Sequence, residues 1–272
     1  MSTFEQEVKN SQRFEFGKNW KSFLTTLNDQ RIQTAKESIQ KMLQVENLNN
    51  KSVLDIGSGS GLFSLSARSL GATVHSFDFD PNSVGCTREL RSRYFANDPN
   101  WKVEEGSVLD KKYMESLGKF DIVYSWGVLH HTGDMWNAID NAAARVKEGG
   151  TFYIALYNDQ GKISKIWKKV KEIYCSGLLG KALISAIYIP YFFFLALVTC
   201  IIRRENVFRT YSKNRGMSVT HDWHDWLGGL PFEVASVAAT FQFLKKRGFE
   251  LENIRTVNTL GCNEYVFAKR GS

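Results

Sequence analysis

Close pairs of cysteine are missing from this 272-residue sequence, whose four cysteines, Cys86, Cys175, Cys200 and Cys262, lie scattered along the chain. That excludes a small disulfide scaffold and a thiolate metal site, both of which need sulfur at short spacing. A reducing compartment is the expected setting. Missing too, between Met1 and Lys18, is the apolar run of a secretory signal, so a cytoplasmic location is expected. There is no internal repeat and no low-complexity tract. Acidic residues are in deficit, 28 against 35 basic ones, for a formal net charge of +7. Such a balance admits nucleic acid, an anionic membrane or an acidic substrate as partner without choosing among them. What is present is a core-forming apolar content of 43%, which suits one catalytic-size domain with an insertion.

Hydrophobic periodicity divides the chain. Apolar residues at helical spacing over 29–45 (Ile32, Ala35, Ile39, Met42, Leu43) predict an amphipathic helix leading into a strand over 51–56. The turn Asp55-Ile56-Gly57-Ser58-Gly59-Ser60-Gly61 follows, then a helix over 62–69 with its stop at Gly71. A second strand and helix are expected over 73–77 and 82–95. Further strands fall over 101–104, 120–125 and 151–156, with helices over 113–117 and 136–146, the latter terminated by Gly149-Gly150. Alternation of this kind implies a doubly wound α/β domain, a mostly parallel sheet with helices on both faces. After Tyr157 the rhythm breaks, then returns as a helix over 231–247 and two strands over 250–257 and 264–268, spaced for an antiparallel hairpin. The expected organisation is a helical cap over residues 1–50, a seven-stranded core over 51–157 and 231–272, and a helical insertion over 158–230.

Gly57, Gly59 and Gly61 remove the side chains that would block a ligand from the backbone, and the helix start beyond them offers free N–H groups and a positive dipole end. Taken alone such a turn is a weak signal. Leu62 stands where a dinucleotide-binding turn wants its third glycine, and Asp55 would gain little beside a pyrophosphate. Asp78 closes the second strand about 20 residues on, where a carboxylate can accept hydrogen bonds from both ribose hydroxyls. With Phe120-Asp121-Ile122-Val123-Tyr124-Ser125 on the fourth strand and Val146-Lys147-Glu148-Gly149-Gly150 before the fifth, the order of motifs resembles the class I S-adenosylmethionine-dependent methyltransferases. The resemblance covers residues 51–156 and 235–269, and within the class it is nearest to the small-molecule O-methyltransferases of ubiquinone and natural-product sugar biosynthesis. It implies a Rossmann-like sheet and S-adenosylmethionine as cofactor. It also implies that Gly57, Ser58, Gly59 and Gly61, with Asp55 near the turn, line the methionine part, that Asp78 holds the ribose and that Phe79 packs on the adenine. Ser107 and Val108 match the adenine-edge motif, although Ser107 stands where many relatives have Asp. Ser125 and Trp126 match the strand end beneath the reacting methyl.

Methyl transfer to a hydroxyl needs alignment and a proton acceptor. His130 and His131 follow the fourth strand, near the strand ends where open α/β sheets bind ligands. Some sugar O-methyltransferases of similar pattern use the first His of such a pair, which is His130 here; their carboxylate after the fifth strand is replaced by Leu156. His221 and His224, in a segment rich in Asp, Trp and Gly, are further candidate bases, or else belong to an acceptor lid or a packing loop. No metal is expected, because these two His lie three apart with no third ligand fixed by spacing. Phe14, Phe16, Trp20 and Phe23 with Lys18 form an N-terminal stripe that either covers the cofactor or packs on the core.

Inside the insertion, Ile163, Ile166, Trp167, Val170, Ile173 and Tyr174 share one helical face, and Lys162, Lys165, Lys168, Lys169 and Lys171 occupy much of the rest. Residues 182–202 then carry no charge, a run long enough to cross a bilayer core of about 30 Å. A single crossing would strand the last two strands on the far side, so the run is expected to pack on the protein as an acceptor cap or homodimer contact, to lie in the membrane interface, or to dip in and return with a bend at Pro190. The sequence thus reads as an O-methyltransferase of a small or lipid-linked acceptor, cytoplasmic or peripheral on the inner face of an anionic membrane, with no nucleic-acid partner expected. N-methylation of tRNA or protein, and a non-catalytic cofactor-binding scaffold, are the rival readings.

Overall fold

The computed structural model describes residues 3–204, 223 and 226–271. Three helices come first: α1 (Thr3–Lys9), α2 (Gly17–Thr25) and α3 (Asp29–Leu43). Strand and helix then alternate as β1 (Ser52–Ile56), α4 (Leu62–Ser69), β2 (Thr73–Asp78), α5 (Pro81–Tyr94), β3 (Trp101–Glu105), α6 (Lys111–Ser116) and β4 (Phe120–Trp126). A 3₁₀ turn (Leu129–His131), α7 (Met135–Ala143) and β5 (Val146–Tyr157) lead to the helical pair α8 (Lys162–Cys175) and α9 (Leu178–Arg203). Last come α10 (Val237–Lys245), β6 (Phe249–Arg255) and β7 (Cys262–Lys269).

The seven strands form one sheet in the order β3-β2-β1-β4-β5-β7-β6, parallel except for β7, which runs antiparallel to both its neighbours. Buried β1 and β4 send apolar side chains to both faces, Val53 and Leu54 from β1 and Ile122 and Val123 from β4, as a covered parallel strand requires. Their alternating side chains feed two cores: Leu54 and Ile56 with Phe152 and Ala138 on one side, Val53 and Ile122 with Leu65 and Trp101 on the other. Connections run outward from β1 in one direction and from β4 in the other, so a crevice opens at the carboxyl ends of these two neighbours.

Two expected boundaries are corrected. The helix read over 136–146 stops at Ala143, and Val146 is already paired with Phe120. Gly149, at φ 71°, sits inside β5 where the register with β4 shifts, so the glycine pair serves a strand irregularity instead of a helix stop. The helix read from 231 begins only at Val237, capped by the Ser236 hydroxyl accepting from Ala239 N–H at 3.1 Å. Ahead of it the backbone donors are committed elsewhere: Glu233 N–H to the His130 carbonyl at 3.0 Å, and Ala235 N–H to the Tyr157 carbonyl at 2.9 Å.

Candidate active site

Gly57, Gly59 and Gly61 all have positive φ, at 75°, 56° and 82°, a region that side chains other than glycine enter only with strain. A Cβ on Gly57 would stand 2.4 Å from Val128, and one on Gly61 2.8 Å from the Thr87 backbone. Gly57 and Ser58 donate their N–H groups to the Phe77 carbonyl at 2.8 and 3.1 Å, and the Ser58 hydroxyl meets that of Thr87 at 2.9 Å. These contacts hold the turn against β2 and α5.

Asp78 ends β2 beside the turn. Its Oδ2 accepts from Gly59 N–H and its Oδ1 from Asp80 N–H, both at 2.9 Å. A carboxylate offers about four lone-pair sites, so capacity remains for a ligand's hydroxyls. Burial pushes its pKa up to about 6 despite those hydrogen bonds. Asp55 lies behind the turn, fully within β1, where its carboxylate accepts from the Ser64 hydroxyl in a chain that continues through Ser76 to the Trp101 indole. Burial, with Asp78 nearby, raises it to about 7. Neither acid forms an ion pair among the described residues, so the turn carries two partly suppressed negative charges that a cationic ligand would release. That fits a donor bearing a sulfonium and an ammonium. Asp55 stands behind the turn and not on its open side.

The other residues expected at the cofactor are distributed around this centre. Ser125 is buried and donates to the Ile56 carbonyl at 3.0 Å, tying the end of β4 to that of β1. Trp126 projects from the strand end and stacks on Phe63. Phe79 is flanked by Phe4 and by the Arg13 guanidinium, 4.9 Å from its ring centre. The Ser107 hydroxyl accepts from Leu109 N–H within its own turn, and Val108 packs in the core. Of the N-terminal stripe, Phe23 packs in the core, whereas the Trp20 ring covers Gly59; Gly17 N–H reaches Asp80 at 2.8 Å, and Phe14 N–H reaches the Leu230 carbonyl at 3.1 Å.

The two imidazoles differ. Tyr157 N–H donates to His130 Nδ1 at 3.3 Å and the Tyr157 ring lies 3.9 Å from its centre, so the ring's lone pair is occupied. Desolvation holds His130 well below its ordinary pKa, helped by His131 and Lys171. His131 Nδ1 lies 2.6 Å from the Pro231 carbonyl, which fixes the proton on Nδ1 and leaves the Nε2 lone pair open. Its main chain is held as well, by Arg13 Nη1 donating to the His131 carbonyl at 2.9 Å. Burial lowers this ring to about 3, with Lys171 and Arg13 adding repulsion against the Pro231 bond. His221 and His224 lie outside the described residues.

Lys171, read from sequence as one of the solvated lysines, is buried. Its Nζ donates to the Trp226 carbonyl and stands 4.2 Å from the Trp226 ring centre and 4.9 Å from that of Phe232, and burial brings it down to about 7. Its place one turn beyond Trp167 and one before Tyr174 was the available signal. Trp226 in turn packs on Tyr157 at 5.7 Å. Pro231 and Tyr157, which set the two imidazoles apart, carried no signal in the sequence.

A family model described as a methyltransferase domain matches residues 27–195. A curated relative from Colwellia psychrerythraea, ubiquinone biosynthesis O-methyltransferase, is 29% identical over 143 residues, 50% of this chain and 55% of the relative. The Escherichia fergusonii protein of the same name is 32% identical over 117 residues, 42% and 46% of the two chains. The chain therefore spans about half the length of these relatives. Among solved structures, magnesium protoporphyrin IX methyltransferase from Synechocystis with bound SAH superposes with a TM-score of 0.54 at 14% identity, over 88% of this chain and 83% of that one. An O-methyltransferase family protein from Burkholderia thailandensis gives 0.54 at 14%, over 90% and 58%. These likenesses show a shared fold.

Proposed function

Because the chain belongs to the methyltransferase-domain family, and is an S-adenosylmethionine-dependent enzyme of the class I type, we propose that it methylates a hydroxyl of a small or lipid-linked acceptor. The observation that carries this reading is the Nδ1 bond of His131 to the Pro231 carbonyl, which leaves Nε2 as the ring's proton-accepting nitrogen on the turn that follows β4. A hydroxyl is a poor nucleophile until its proton has somewhere to go. Relatives that bear the name O-methyltransferase support oxygen as the acceptor atom.

When bound, S-adenosylmethionine supplies a methyl carbon activated by a positively charged sulfur. The glycine turn and Asp78, which are bonded to each other, would hold it, and the Ser125 link ties the end of β4 to that of β1. The chain's own part would be at His131, whose Nε2 would accept the acceptor's hydroxyl proton, and the bound donor would supply the methyl group, the products being a methyl ether and the demethylated donor. Burial and the neighbouring cations disfavour the imidazolium, so that proton passes on to water. His130, its lone pair taken by Tyr157, packs beside this group and shapes the floor.

Incubation with methyl-labelled donor and separated lipid, small-metabolite, glycan and RNA fractions of the source cell tests the reading. Label is expected in a lipid or small-molecule product as an alkali-stable methyl ether. Label in RNA or protein, or none anywhere despite donor binding, would overturn it.

A further inference from the structure

The pair α8 and α9 carries surface chemistry that methyl transfer does not use. The two helices run antiparallel: Lys181 lies against Tyr174, and Tyr188 and Phe192 lie against Trp167. Their seam is a small core of Val170, Tyr174, Ile184 and Leu227. In this register the start of α8 is level with about residue 193, so residues 193–203 of α9 extend beyond it by about 15 Å at the rise of an α-helix.

The outside of this pair is apolar. In the most apolar window of α9 only 11% of the residues are buried, which rules out the helix as the core element of a soluble fold. Leu178 and Leu179 are 88% and 89% exposed, and Phe194, Ile201 and Ile202 are more than half exposed. The face of α8 expected to be buried is itself divided, with Val170 and Tyr174 inside but Ile163, Ile166 and Ile173 outside. An apolar surface of this extent marks an interaction site.

Charge identifies the partner. Residues 162–204 hold eight basic residues and one acid, Glu172. That excess equals the formal +7 of the entire chain, so the rest of the molecule is neutral overall. Lys162, Lys165, Lys168 and Lys169 are exposed on α8. A second copy seated here would cover the leucines but would also bring the like-charged surfaces together, whereas an anionic bilayer satisfies both. Crossing the bilayer is excluded by topology: β5 before the pair and β7 after it are hydrogen-bonded neighbours from Thr151↔Ala268 to Tyr157↔Cys262, and one crossing would leave them on opposite sides.

We propose that α8 and α9 dock the protein on an anionic lipid surface, α9 lying in the interface with its overhanging end among the acyl chains, and the α8 lysines over the headgroups. Each such lysine raises partition about fivefold at low salt, and this part fades with the Debye length of roughly 8–10 Å. The apolar part resists salt.

Co-sedimentation of the full chain with vesicles of phosphatidylglycerol mixed with phosphatidylcholine tests the surface. Binding is expected there, weaker at high salt, and weaker on phosphatidylcholine alone by about tenfold or more. Leu179→Glu with Ile201→Glu should lower binding at every salt, and Lys165→Glu with Lys169→Glu only at low salt, both with unchanged thermal unfolding because all four side chains are exposed. Equal binding by wild type and the Leu179→Glu, Ile201→Glu variant would overturn the proposal. So would a soluble dimer in lipid-free gel filtration that ignores vesicles, since it would assign this face to a second copy. Acceptor turnover is not measured, so the outcome stands apart from the choice of acceptor.

Discussion

Asp55, behind the glycine turn, and Asp78, beside it, have pKa values raised to about 7 and about 6. A cationic donor favours their ionised forms, so its binding releases protons and its affinity must rise as pH rises through this window. The expected outcome is a dissociation constant that falls between pH 5.5 and 7, by up to roughly tenfold per pH unit for each proton released. Calorimetry in buffers of different ionisation enthalpy measures both the affinity and the proton count; a flat profile would remove the electrostatic argument. Asp78→Ala should weaken donor binding by about 1.5–3 kcal/mol per charge-assisted hydrogen bond lost, read on a variant whose circular dichroism is unchanged. For the imidazoles, His131→Ala should reduce kcat at least about 100-fold, the usual scale of a general base, with little change in donor affinity. His130→Gln should act more through stability than through kcat. The reverse order would return the role to His130, the member that the family resemblance favours.

At the scale of elements, most of the fold was legible because periodicity and burial agree. The strands at β1, β2 and β4 fell within about a residue of expectation, since each is an apolar run bounded by turn residues. Legibility failed where backbone groups bond to remote partners. The stretch before α10 contains residues that suit a helix, yet its N–H groups serve the His130 turn and the end of β5, contacts with no local signature. The same holds for the site. Glycine spacing and a strand-end acid are local patterns and were readable, whereas the distinction between His130 and His131 depends on Tyr157 and Pro231, far away in the chain. The glycine turn also offers a test at this scale. Gly61 and Gly118 share positive φ, but only at Gly61 would a Cβ meet backbone, that of Thr87 at 2.8 Å, while nothing lies within 4 Å at Gly118. Gly118→Ala should cost about 1–2 kcal/mol for the backbone alone, and Gly61→Ala clearly more, in urea unfolding. Equal costs would mean that α5 yields readily to the turn.

Taken whole, the molecule holds its N-terminal segment against the glycine turn and the His131 turn, through Trp20 on Gly59, Gly17 on Asp80, Phe14 on Leu230 and Arg13 on His131. With the donor proposed at this turn, ligand exchange is expected to require the segment to lift, and its contacts should limit release. Trp20→Ala is expected to speed dissociation of S-adenosylhomocysteine several-fold in stopped-flow fluorescence, with a smaller effect on the chemical step in single turnover. An unchanged release rate would show that the cap moves freely already. One feature of the sheet has a temporal side. β7 pairs with both β5 and β6, and its partner β5 was made before the whole α8–α9 pair. During synthesis the open edge of β5 must wait for a strand that comes late, and closing that long loop is the slow kind of contact. The apolar α9 precedes β7 in the chain, so it leaves the ribosome before the sheet can close. A bilayer nearby would then be the first surface that helix meets, so membrane contact would precede completion of the sheet and shield the nascent chain from self-association.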